Sequence, residues 1–129
     1  MPGPRRRNLT TVKPEPGDFW ARGEPDGSYV LGFTDDAQGR IGPVVYFRGP
    51  RVGREYSTEE TAMTLESEKC VRQLALPVGG TVVEMNRNLE ADPGAINQDP
   101  YGRGWVCRLR PSRVTPVESV TERPPRTPR

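Results

Sequence analysis

From Trp20 to Leu109 the chain alternates short apolar runs with clusters of turn residues, and no run is long enough to prefer a helix. Tyr29–Phe33, Pro43–Phe47, Ala62–Leu65, Val71–Leu76, Thr81–Met85 and Trp105–Leu109 read as strands, with a first one beginning at Trp20. Pro25-Asp26-Gly27-Ser28, Gly49-Pro50, Pro77-Val78-Gly79-Gly80 and Asp99-Pro100-Tyr101-Gly102 stop or turn the chain between them. The polar stretch from Val52 to Glu60 reads as a loop. Helix is confined to one turn after Thr34, whose hydroxyl suits the cap, and a short piece within Asn88–Asn97, with Asp92 as cap. Roughly six to eight short strands predict an all-β sandwich or flattened barrel.

The 129 residues fit one domain, and 14 glycines and 15 prolines suit a small, turn-rich β fold. Residues 1–17 and 113–129 each hold four prolines and no apolar period, so both are expected to be disordered tails flanking a domain over 18–112. Charge divides the same way: +3 and +2 on the tails against −3 between them. Arg5–Arg7 lack interleaved aromatics and read as a solvated tail, not as a nucleic-acid or lipid contact. No run approaches the roughly 20 apolar residues that span a membrane, and nothing resembles a secretory signal. A cytoplasmic monomer is expected.

Composition also removes chemistry. Without any histidine, Ser-His-Asp and Cys-His catalysis and most zinc sites are out of reach. Cys70 and Cys107 form no Cys-x-x-Cys; Cys107 reads as a core thiol and Cys70 as one near the surface. Trp105, Val45 and Leu74 read as core. The chain is therefore expected not to be an enzyme.

Lysine is scarce. Of nineteen basic residues only Lys13 and Lys69 are lysine, and Lys13 falls in the expected lead-in. Arginine cannot replace an amine that must be acylated, because its guanidinium stays protonated. Lys69 falls at the reversal between two strands, where a modifying enzyme finds an accessible amine at a repeatable place.

Glu66-Ser67-Glu68-Lys69-Cys70 resembles the Glu-Ser-Val-Lys-Ala hairpin of glycine cleavage H-proteins, whose lysine bears lipoate. Gly32-Phe33-Thr34-Asp35-Asp36-Ala37-Gln38 is similar to the family's Gly-Ile-Thr-Asp-x-Ala-Gln, and Gly42-Pro43-Val44-Val45-Tyr46-Phe47 to its Gly-Asp-Val-Val-Tyr-Val. The segments Pro77–Asn86 and Asn97–Trp105 resemble Pro-Val-x-Gly-x-Val-x-x-x-Asn and Asn-x-Asp-Pro-Tyr-Gly-x-Gly-Trp, in the same order. The resemblance implies a lipoyl/biotinyl-type β-sandwich (a barrel-sandwich hybrid) with lipoate bound covalently to Lys69, and Glu66 recognised by the lipoate attachment enzymes. It implies a non-catalytic carrier whose swinging arm moves the aminomethyl group of glycine and electrons between glycine decarboxylase, aminomethyltransferase and dihydrolipoamide dehydrogenase.

Three departures bear on the cargo. Asp18-Phe19-Trp20 stands where the family has His-Glu-Trp, so only Asp18 brings charge to the cleft implied for the loaded arm. Arg72-Gln73 replaces Ser-Asp, and the Pro-rich tail replaces a C-terminal helix. These departures suit an alternative, a lipoate carrier for a heterodisulfide-reductase-like complex of sulfur oxidation. An unmodified interaction module is a second alternative. Biotin carriage fits less well, since Lys69 is flanked by Glu68 and Cys70 and not by methionines. Cys70, in place of alanine, reads as a small filler or as a thiol available to the arm.

Overall fold

In a computed structural model the described residues are 10–112. They form two sheets packed face to face. One has the strand order β1 (Thr11–Val12), β7 (Val71–Leu74), β6 (Met63–Ser67), β4 (Val44–Arg48); the other has β2 (Phe19–Gly23), β3 (Tyr29–Phe33), β9 (Cys107–Pro111), β8 (Gly80–Met85), β5 (Glu55–Tyr56). Among the described residues three short helices join the strands: α1 (Asp35–Ile41), α2 (Asn88–Ala91) and α3 (Ala95–Gln98). The expected sandwich is the one observed.

Alternation decides which side chains enter the core. In β6, Met63, Leu65 and Ser67 point inward while Thr64 and Glu66 remain half-exposed. Leu65, Phe47, Leu31, Val82 and Leu109 meet between the sheets, and burial of each such side chain is worth roughly 1.5–3 kcal/mol. Trp20 lies on the opposite face of its strand from Phe19 and Ala21 yet is 1% exposed. Its indole lies over Gly32, its cross-strand partner, where a Cβ would stand 2.6 Å from Nε1. The Nε1–H donates to the Pro100 carbonyl at 3.0 Å, so the Asp99–Trp105 segment is fastened over this sheet.

Thr34 caps α1 as expected, accepting from the Ala37 N–H at 3.1 Å, with Asp35 and Asp36 in the first turn and Arg40 in the last. The helix continues to Ile41, beyond the single turn expected. Gly42 stops it at φ 86° and ψ −174°, a conformation that is essentially glycine's alone.

Several expectations need correcting. The lead-in is not without structure up to Gly17: Thr11 and Val12 run parallel to Gln73 and Leu74, and Val12 accepts from Ala75 N at 3.0 Å. Two residues among prolines carry no period, and the open edge of β7 supplies the pairing. The loop after Val52 likewise contains β5, because Tyr56 is buried and Glu55–Tyr56 pair with Gly80–Thr81. Asp92 ends α2, and α3 begins after Gly94 without a side-chain cap. A register shift between Val44 and Tyr46 turns Val45 outward, 55% exposed. Trp105 is half-buried and precedes the closing strand, which begins at Cys107; Leu74 is core, as expected. Residues 1–9 of the expected N-terminal tail and 113–129, the expected C-terminal tail in place of a helix, lie outside the described residues.

Candidate functional site

The reversal between β6 and β7 is a four-residue turn, and Ser67 holds it. Its N–H donates to the Cys70 carbonyl at 2.8 Å. Its Oγ accepts from the amides of Lys69 at 3.0 Å and Cys70 at 3.2 Å. Glu68 N donates to the Pro43 carbonyl at 3.0 Å, tying the tip to the start of β4. The backbone beneath Lys69 is therefore fixed, which is what a repeatable attachment point requires.

Lys69 itself is exposed, and its aliphatic stem lies along Gly42: a Cβ there would stand 3.3 Å from both Cδ and Cε. Gly42 is placed in turn by Asn97, on α3. The Asn97 Nδ2 donates to the Gly42 carbonyl at 2.8 Å and to Gln38 Oε1 at 3.0 Å, while its Oδ1 accepts from Val44 N at 2.9 Å. One amide thus joins the end of α1, the start of β4 and α3 directly below the lysine. Asn97 appears in a motif quoted from the sequence, but its role at the site was not legible there, because its partners are more than fifty residues away.

Glu66 is half-buried on the outer face, between Tyr46 and Val71 in register, and Glu68 is exposed beside the lysine. Among the described residues no carboxylate lies within ion-pair distance of Lys69. The amine is free to be acylated without giving up a partner, and its stem has a fixed bed. These residues fit an amide-linked acid such as lipoate.

Both cysteines are free. Partial burial by itself raises the pKa of the Cys70 thiol; hydrogen bonds to Arg72 and Ser67, with the charges of Arg72 and Lys69, outweigh it and bring the thiol below its ordinary value. Cys107, fully enclosed, is pushed up by burial to about 12 and is inert at neutral pH.

Between α1, β7 and the residues that follow β1 lies a cleft of about 160 Å³ whose apolar walls include Phe19, Phe33, Ile41 and Leu74. The rings of Phe19 and Phe33 are 4.7 Å apart. Asp18 and Arg72 both line it, but Asp18 is not its only charge, contrary to what the sequence suggested, because Lys13, Glu15 and Arg40 line it too; nor is Asp18 free: Arg40 binds its Oδ1 at 2.6 Å and Glu15 N donates to its Oδ2 at 2.8 Å. Arg40 was missed in the sequence, because it falls beyond the single helical turn expected after Thr34. Among the described residues no group of His, Cys, Asp or Glu is placed to hold a metal ion. Among the described residues no helix is long and apolar enough to cross a membrane.

Residues 10–124 match the family model described as glycine cleavage H-protein. A glycine cleavage system H protein from Alkalilimnicola ehrlichii is 41% identical over 103 residues, 80% of this chain and 79% of its own length. One from Acinetobacter baumannii is 41% identical over 101 residues, 78% of this chain and 81% of that one. The crystal structure of a glycine cleavage system H protein from Mycobacterium marinum superposes with a TM-score of 0.64 at 37% identity, covering 71% of this chain and 72% of the other. The chain therefore belongs to the glycine cleavage H-protein family.

Proposed function

We propose that Lys69 is the residue through which this carrier holds lipoate, and that the loaded chain works in glycine decarboxylation. The observation carrying this reading is a free amine on a fully hydrogen-bonded turn, its stem bedded on Gly42. Members of the family are non-catalytic carriers with lipoate on a lysine. When bound, lipoate supplies a dithiolane that takes up a group and electrons at one enzyme and gives them up at another. The chain's own residues do simpler work. Ser67 fixes the turn, Gly42 and Asn97 set the base of the stem, and Glu66 presents an acidic mark for the attachment enzymes.

Phe19, Ile41 and Leu74 give the neighbouring cleft a water-poor wall. A cation entering it meets Glu15 and shares Asp18 with Arg40, while Arg72 and Lys13 add repulsion. Glycine decarboxylase, aminomethyltransferase and dihydrolipoamide dehydrogenase are the partners this reading assigns. The names of the relatives favour glycine cleavage over sulfur oxidation, biotin carriage or an unmodified module.

Fully lipoylated protein is expected to support glycine-dependent exchange of labelled bicarbonate into glycine by the decarboxylase. Absence of exchange from protein shown by mass to be fully lipoylated would overturn the glycine assignment.

A further inference from the structure

At the opposite end of the four-stranded sheet from Lys69, where β4 runs out, lies a groove of about 660 Å³. It begins at Arg48, four residues along β4 from Val44 and thus roughly 13 Å from the tip end of that strand. Arg48, Arg51, Arg54 and Arg87 stand around it, and among the described residues Glu90 is the single acid in its lining. Glu90 is engaged in turn by the Gly49 N–H, which donates to Oε2 at 3.3 Å.

This concentration of positive charge is not the general condition of the surface. Residues 18–112 carry a net charge of −3. Six of their ten arginines have a carboxylate within ion-pair distance: Arg22, Arg40, Arg54, Arg103, Arg108 and Arg110. Of the remaining four, Arg72 lies in the cleft beside the hairpin, and Arg48, Arg51 and Arg87 are all in this groove. In a domain with acid to spare, three of the four guanidiniums without carboxylate partners among the described residues gather in one concavity.

The groove is held firmly. Its turn carries Gly53 at φ 90°, and Gly53 N and Val82 N bond to Val82 O at 2.7 Å and Arg54 O at 3.0 Å. Arg51 N donates to the buried Tyr56 hydroxyl at 3.0 Å, and the Arg54 guanidinium lies 4.5 Å over the same ring.

We propose that this groove docks an acidic protein segment, with carboxylates on the arginines and an apolar side chain between them. Two features favour a peptide over a lone phosphate. The charges come from three separate places, the end of β4, the Arg51–Arg54 turn and the start of α2, and so fit anions spread along a chain. The groove also offers apolar contact: the half-buried Met85 lines it, and Val52 at its edge is 52% exposed. Arginine forks bind carboxylates in pairs, and the charge raises the rate of encounter. Such a site would hold a partner while leaving the lysine end clear. It is independent of whether Lys69 is the attachment residue.

The test is an amide NMR titration of the isotope-labelled full-length protein at low salt. The probes are a short peptide of alternating glutamate and leucine, and separately inorganic pyrophosphate. Peptide-induced shifts are expected at Gly49, Arg51, Met63, Met85 and Arg87 and not at Ser67–Cys70, and are expected to fade as salt rises. In the triple variant Arg48→Glu/Arg51→Glu/Arg87→Glu binding should weaken at least roughly tenfold. If that variant loses the dispersed spectrum of the parent, Arg48→Gln and Arg87→Gln singly serve the same purpose. Peptide shifts outside the groove, undiminished binding by the variants, or saturation by pyrophosphate with no response to peptide would each overturn the proposal.

Discussion

The two lysines of this chain lie near opposite ends of one strand pairing and differ in everything but exposure. Lys13 follows β1, beside the end of β7, and its ammonium is bound to Glu59 at 2.7 Å. Lys69 precedes β7, on a turn whose N–H groups are taken up by Ser67, and has no carboxylate partner among the described residues. Acylation converts an ammonium to a neutral amide, so Lys13 would forfeit its ion pair and Lys69 has none to lose. The Lys13 pair is itself worth at most about 1 kcal/mol, since both side chains are more than half exposed. What distinguishes the two amines is therefore chiefly their setting: Lys69 stands on a hydrogen-bonded reversal with its stem bedded on Gly42, whereas Lys13 follows a two-residue edge strand. The attachment site proposed at Lys69 is a well-held main chain carrying an amine with no carboxylate partner among the described residues, and charge pairing contributes little.

The difference can be attacked from either side. Lys69→Arg should have the largest effect: it keeps the charge and the fold, leaves the melting temperature within error, and abolishes the lipoyl adduct measured by intact mass. Next is Gly42→Ala, which forces a side chain into a glycine-only conformation beside the lysine stem. It should cost about 1–3 kcal/mol in urea unfolding and slow the initial rate of lipoylation. Asn97→Ala should cost about 1–2 kcal/mol, because the Gly42 carbonyl and Val44 amide lose a partner in a half-buried place. It should slow lipoylation less than the glycine change does. Glu59→Gln should have the smallest effect. Freeing Lys13 should change stability by less than about 1 kcal/mol and should not make Lys13 a site, as peptide mapping would show.

Much of this was legible in the sequence because the signals were local. Thr34 before two acids marks the cap, β-branched and aromatic runs mark the strands, and a lone lysine between Ala62–Leu65 and Val71–Leu76 marks the tip. The sandwich and the family motifs followed from such runs and their order. What escaped depended on distant partners. Thr11–Val12 is a strand only because β7 offers an edge, and Glu55–Tyr56 only because β8 does. Val45 looked like core until the shift in register between Val44 and Tyr46 turned it outward. Asp18 looked like a free acid because Arg40, twenty-two residues on, gave no sign of reaching it. Asn97 could be matched to a motif, but its work under Gly42 appears only when α1, α3 and β4 are brought together.

Peptide-level mass mapping of the wild-type protein, after incubation with a lipoate attachment enzyme, tests the central claim most directly. The account predicts one lipoyl group per chain, on Lys69, with Lys13 unmodified. A lipoyl group on Lys13, or folded protein that accepts none at Lys69, would contradict it.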